Sequence, residues 1–124
     1  MSRFARLSLA LPLVVALQAS ALAADTSPGR KIFASRCGSC HEGTSPSAAT
    51  LGPSLVGLFG RKAGSANSGV HSRALAESGI VWSRSTLRSY LSDPSRAVPG
   101  TIMPMRVENP KELEDLLDYF QTLR

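Results

Sequence analysis

Apolar positions are unevenly spaced along this chain, and the spacing separates helices from loops. Residues 7–17 form a short, nearly unbroken apolar run. Further on, Ile32, Phe33 and Arg36-Cys37 fall at helical spacing, so Phe33 and Cys37 share a face. Thr26-Ser27-Pro28-Gly29 opens that helix, with Ser27 as its cap and Pro28 at the first helical position. Gly29 is costly inside a helix unless a second helix packs closely across it. Residues 42–68 are rich in Gly, Ser, Pro and Ala, lack sustained periodicity and read as loop. Within them, Leu51, Leu55, Val56, Leu58 and Phe59 follow neither a helix nor a strand period.

Residues 72–77 read as a short helix stopped by Gly79. Residues 83–92 read as another, with Ser83 as N-cap and Leu87, Tyr90 and Leu91 at i, i+3, i+4. Asp93-Pro94 ends it, because the residue before proline is driven out of the helical region. Residues 95–108 are expected to be loop. Asn109 caps the last helix, with Pro110 first and Glu112 placed for a capping box. Leu113, Leu116, Leu117, Phe120 and Leu123 make its apolar stripe. Glu112, Glu114 and Asp115 complement the dipole at one end, and Arg124 is expected to do so at the other.

The length of 124 residues allows one domain. Arg3 and Arg6, the apolar run and Ala21-Leu22-Ala23 have the layout of a secretory signal peptide. A retained anchor fits less well: Gln18 and Ser20 interrupt the run, and it is shorter than the roughly 20 residues a spanning helix needs. Residues 1–23 are therefore expected to be removed, leaving a domain at 24–124. Losing Arg3 and Arg6 lowers the formal charge from +5 to +3. With no run of like charges and no recognition motif, nothing points to a nucleic-acid partner. The modest core expected at this size contains few aromatics, and a buried cofactor would supply the missing apolar centre.

The chemistry lies in Cys37-Gly38-Ser39-Cys40-His41. C-x-x-C-H is the spacing of a c-type haem attachment site: two thiols can bond the two vinyl groups, and the following imidazole can reach the iron. A disulfide, half of a zinc site and a thioredoxin-like redox pair are alternatives for two cysteines so spaced. No second cysteine pair exists, His71 is the only other histidine and no strand pattern surrounds the motif, so His41 favours haem. The aperiodic loop around residues 51–62 would then pack on a haem face.

Taken together, Gly29-Arg30-Lys31-Ile32-Phe33, the Cys37–His41 run, residues 52–62, Ser78-Gly79-Ile80-Val81-Trp82, Tyr90-Leu91 before Asp93-Pro94, Pro99-Gly100-Thr101 with Met103, and Leu116 with Tyr119 resemble a class I cytochrome c. The match covers nearly all of residues 24–124. The resemblance implies an all-α fold, with three to five short helices and long loops wrapped around one covalently bound haem c. It implies that Cys37 and Cys40 are the thioether cysteines, His41 the proximal ligand and Met103 the distal ligand. It makes Pro53 the carbonyl acceptor for the His41 ring N–H, and Arg61, Trp82 and Thr101 partners of the haem propionates. Tyr90 matches a tyrosine on the methionine side, and Gly29, Phe33, Leu116 and Tyr119 match a contact between first and last helices.

The chain departs from that pattern at several positions. His71 stands where a propionate-bound tyrosine is common, leaving three readings: propionate partner, alternative iron ligand or exposed loop histidine. Leu75 replaces a frequent asparagine. Met105 is a second thioether near Met103 that could compete for the iron or pack on the haem rim. Arg36, Arg61, Lys62, Arg84, Arg88 and Arg96 are candidates for a basic rim, or scattered solvated charges; the family's usual lysine ring is not reproduced.

With His41 and Met103 both on the iron, no coordination site remains for a substrate. The implied function is a monomeric periplasmic electron carrier rather than an enzyme, meeting redox proteins in brief encounters and at most peripheral to membrane complexes. Two rivals remain in the sequence: an electron-accepting subunit of a periplasmic dehydrogenase, and a haem peroxidase or gas-binding protein with an open distal site.

Overall fold

The computed structural model describes residues 25–41, 51–67 and 69–124. The expected signal segment, and residues 42–50 and 68 of the expected loop, lie outside the described residues. Among the described residues, five helices follow in order: α1 Ser27–Arg36, α2 Arg73–Glu77, α3 Arg84–Ser92, α4 Pro94–Ala97 and α5 Pro110–Phe120. Among the described residues, β structure is limited to an isolated antiparallel bridge between Lys62 and Val81. The all-α expectation holds.

Local chemistry sets the helix ends. The Asn109 side chain accepts from the Lys111 and Glu112 N–H groups, satisfying two orphan donors of α5. The reciprocal half of the expected capping box does not form, because the Glu112 carboxylate turns to Arg36 at 3.2 Å. Ser83 and Thr86 do form a reciprocal box at the start of α3. α1 begins one residue earlier than expected: Thr26 is the cap position, and Ser27 gives its N–H to Asp25 Oδ1 at 3.0 Å. That bond holds the Asp25 carboxyl below its ordinary range. α5 ends at Phe120, and Arg124, just beyond its last turn, reaches back to donate from Nε to the carbonyl of the C-cap residue Gln121 at 3.4 Å, on the side where a cation favours the dipole. α4 replaces part of the expected loop, because Asp93 both closes α3 and accepts from Arg96 N–H at 3.2 Å. Pro94 then takes a position where its missing N–H costs nothing.

α1 crosses α5 at Gly29. A Cβ there would lie 1.9 Å from the Asp115 carbonyl oxygen and 2.8 Å from Tyr119 Cβ. Above this crossing, Phe33 meets Tyr119 with ring centroids 5.4 Å apart and Phe120 edge-on at 6.1 Å. Leu113, Leu116, Leu117 and Phe120 are buried, as the stripe requires, and Leu123 packs partly against the same core. α3 lays Leu87, Tyr90 and Leu91 into that core. The α1–α5 crossing therefore fixes the direction in which α1 delivers Cys37.

Candidate functional site

α1 runs directly into the cysteine motif. Cys37 is its C-cap, giving its N–H to Phe33 O at 2.8 Å. The Cys37 carbonyl then accepts from Cys40 N–H at 3.1 Å and His41 N–H at 2.8 Å. This turn brings Cys37, Cys40 and His41 to the wall of one cavity. Both thiols are free, so the disulfide alternative is not realised. Burial pushes the Cys37 thiol upward, keeping it protonated.

His41 Nδ1 lies 2.7 Å from the Pro53 carbonyl oxygen. A carbonyl can only accept, so a neutral imidazole in this bond carries its proton on Nδ1 and its lone pair on Nε2. Gly52, which sequence reasoning did not single out, lies against the same ring. A Cβ on it would be 2.6 Å from His41 Cε1 and 2.8 Å from Nδ1.

The cavity holds about 340 Å³, and every residue assigned to the site from sequence lies on its wall. Cys37, Cys40, His41 and Pro53 arrive from the end of α1 and the loop after it. Arg61 and Trp82 come from the segments joined by the isolated bridge, and Tyr90 from α3. Thr101 and Met103 come from the loop between α4 and α5. Leu58, Leu87, Leu91 and Phe120 complete an apolar lining that also belongs to the buried core.

The polar groups of the wall are partly paired with one another. The Tyr90 hydroxyl and Thr101 Oγ1 lie 2.6 Å apart, a pairing not foreseen from sequence. Burial raises the Tyr90 phenol, and the Thr101 bond partly offsets this. The Arg61 guanidinium donates to the Ser54 carbonyl at 2.6 Å and the Val56 carbonyl at 3.0 Å, folding the loop onto itself. Burial lowers its pKa. His71 is half-buried on the cavity wall, and its Nδ1 is buried without a partner among the described residues, which removes the exposed-loop reading. Leu75 also lines the cavity, where it offers no polar group. Met105 is exposed at the rim.

Half of the candidate basic rim is consumed by ion pairs. Arg84 meets Glu114 at 2.7 Å and Asp118 at 2.8 Å, and Arg88 meets Glu114 at 2.6 Å. Hydrogen bonds from Arg88 and then Arg84 hold the Glu114 carboxyl down at about 2. Arg36 pairs with Glu112. Among the described residues, Arg61, Lys62 and Arg96 of the six make no ion pair, and Arg61 is turned inward to backbone carbonyls, so the basic rim is not a continuous feature.

The donor set fits the implied cofactor. Two free thiols and an imidazole with a fixed tautomer sit beside a thioether on a largely apolar cavity. The unpartnered His71 Nδ1 is a polar atom for which a bound group would be the partner.

Comparison with known proteins points the same way. A family model described as Cytochrome c matches residues 26–124. Cytochrome c of Chlamydomonas reinhardtii is 38% identical over 104 residues, covering 83% of this chain and 93% of that protein. Cytochrome c of Arabidopsis thaliana is 36% identical over 101 residues, covering 81% and 90%. Among solved structures, cytochrome cH from Methylobacterium extorquens aligns with a TM-score of 0.68 at 37% identity, covering 80% of this chain and 99% of that one.

Proposed function

The chain belongs to the cytochrome c family and is a monohaem electron carrier, and from that premise we propose that it works in the periplasm with His41 and Met103 as axial ligands. Haem c, covalently bound at Cys37 and Cys40, supplies a one-electron couple between ferrous and ferric iron. The observation that carries the ligand assignment is the 2.7 Å contact between His41 Nδ1 and the Pro53 carbonyl. It fixes the tautomer, leaves Nε2 as the ligating nitrogen and strengthens that nitrogen as a donor. Gly52 and Pro53 hold the ring from one side.

Met103 lines the same cavity and supplies a thioether, a ligand that favours the reduced iron relative to a second imidazole. The surrounding Leu58, Leu87, Leu91 and Phe120 exclude water and disfavour the extra charge of the ferric state, acting in the same direction. Arg61, Trp82 and Thr101 serve the propionates, and Tyr90 holds Thr101 in place. His71 joins them through its unpartnered Nδ1. The chain is exported with loss of residues 1–23, acts as a monomer and meets redox proteins transiently at the exposed haem edge. Among the described residues, no helix is long and apolar enough to cross a membrane.

The test is spectroscopic. Ferric holo-protein is expected to show the red absorption band of a thioether-bound haem, and ferrous holo-protein to bind no carbon monoxide. Met103→Ala should lose the band and gain carbon monoxide binding. Native ligation in Met103→Ala would overturn the assignment and direct it to Met105 or His71. Recovery of the holo-protein in the periplasmic fraction, beginning near residue 24, tests export.

A further inference from the structure

Among the described residues, five large apolar side chains are exposed: Leu51, Val70, Val81, Ile102 and Met105. All but Val81 also line the cavity, so they stand at its mouth. Leu51 is 69% exposed, Val70 57%, Ile102 59% and Met105 39%. They arrive from two sides. Val70 gives its N–H to the Leu51 carbonyl at 2.8 Å, next to the Gly52 that backs His41. Ile102 and Met105 stand on either side of Met103 in the chain. Single exposed apolar residues are ordinary, but a cluster at one opening marks a contact surface.

The described residues leave this mouth without free charge. Apart from His41 and His71, the ionisable nitrogen groups on the cavity wall are Arg36 and Arg61. Arg36 is paired with Glu112 at 3.2 Å, and Arg61 is turned inward to the Ser54 and Val56 carbonyls. Arg106, beside Met105, is paired with Glu108. Lys62 and Arg96 do not line the cavity.

We propose that the mouth is a docking surface for a redox protein whose own face is apolar and uncharged, rather than for an acidic one. This rests on the electron-carrier reading, in which partners exchange electrons with a group held in the cavity. An acidic face would lose water against Leu51 and Ile102 and find no free cation in return. An apolar face would instead release water from all four side chains. Interface centres are depleted of charge and enriched in methionine, which is the make-up of this mouth. Four partly exposed side chains fall well short of the ~800 Å² per partner of a standard stable interface, which suits a brief encounter rather than a permanent dimer. With no charge pair to screen, association is insensitive to salt.

Electrodes coated with alkanethiol monolayers of defined ends supply the probe. Holo-protein is expected to adsorb on a methyl-terminated monolayer and give a reversible one-electron wave there, no weaker at about 1 M salt than at about 0.01 M. A carboxylate-terminated monolayer should hold about tenfold less electroactive protein. The electron comes from the electrode and returns to it, so only the iron changes oxidation state. Leu51→Lys and Ile102→Lys place a cation on each side of the mouth and should each lower the methyl-surface signal about tenfold. Val81→Lys adds the same charge away from the cavity and should stay within about twofold of wild type. The visible spectrum, and a wave carried by a diffusing mediator, identify the folded variants. A stronger wave on carboxylate than on methyl overturns the proposal in favour of an acidic partner. So does an equal loss in Val81→Lys, which would place the effect in net charge. Binding to uncharged phosphatidylcholine vesicles would assign the face to a lipid surface, and a stable dimer on gel filtration would assign it to a second copy; either overturns the proposal. No one-electron wave even with the mediator overturns the electron-carrier reading and the proposal together; a mediated wave without adsorption on the methyl surface overturns the proposal alone.

Discussion

Gly52 lies flat against the His41 imidazole, so closely that a Cβ at that position would fall 2.6 Å from Cε1 and 3.0 Å from the Cys40 carbonyl oxygen. The glycine is there because the loop must pass the ring to bring the Pro53 carbonyl within 2.7 Å of Nδ1. Gly52→Ala is therefore expected to push the ring off that carbonyl and destabilise the holo-protein by about 1–3 kcal/mol. Denaturant unfolding measures the loss, and the visible spectrum should change with it. An unaltered spectrum at wild-type stability would mean the ring has room to retreat.

Gly29→Ala should reverse the sign that helix propensity gives. In an open helix interior alanine is better than glycine by about 1 kcal/mol. Here the new methyl meets the Asp115 carbonyl at 1.9 Å, and backbone cannot swing aside. The expected result is a loss of about 3 kcal/mol in thermal unfolding, with the visible spectrum unchanged because Gly29 is not on the cavity.

These two glycines mark how far the sequence could be read. Gly29 was legible as a helix crossing because a glycine inside a periodic pattern is locally anomalous and the α5 stripe supplied a partner. Gly52 was not, since one glycine in a Gly-rich loop looks like any other until His41 is placed beside it. α4 was hidden for a related reason: Asp93-Pro94 reads as a stop, and the same Asp93 side chain restarts the chain by capping Arg96 N–H. The site residues were legible through the family resemblance and the motif spacing. Their mutual pairings, Tyr90 with Thr101 and Arg61 with its own loop, depend on tertiary distances and were not. The arginines were read as a rim because their carboxylate partners lie between 26 and 76 positions away, on a helix whose packing periodicity cannot orient.

Glu114 gives the protein an acid-labile tie between α3 and α5. Its carboxyl is held down at about 2 by Arg88 and Arg84, against an ordinary value of 4.5. A folded pKa below the unfolded one stabilises the fold above the unfolded value, and that stabilisation disappears as pH falls through the folded value. The contribution should therefore be complete above about pH 4.5 and decline toward about pH 2. Urea unfolding of wild type and Glu114→Gln over this window measures it. The gap between the two should close on acidification; a constant gap would show that the Arg84 and Arg88 contacts carry no charge-dependent stability.

Removing the haem should remove the fold. Trp82, Leu87, Tyr90 and Leu91 belong to the buried core and line the cavity, so the core and the binding site are one surface. At roughly 24 cal/mol per Å³, leaving about 340 Å³ empty would cost about 8 kcal/mol. Domains of this size are stable by only about 5–15 kcal/mol in total. The α1–α5 crossing cannot compensate, because its Phe33 and Phe120 contacts belong to the same buried cluster. A Cys37→Ser, Cys40→Ser chain is thus expected to lose most of its far-ultraviolet helical signal and to show no cooperative thermal transition. A sharp melt in that variant would mean that the helices pack without the cofactor, and that the cavity closes at far lower cost than its volume implies.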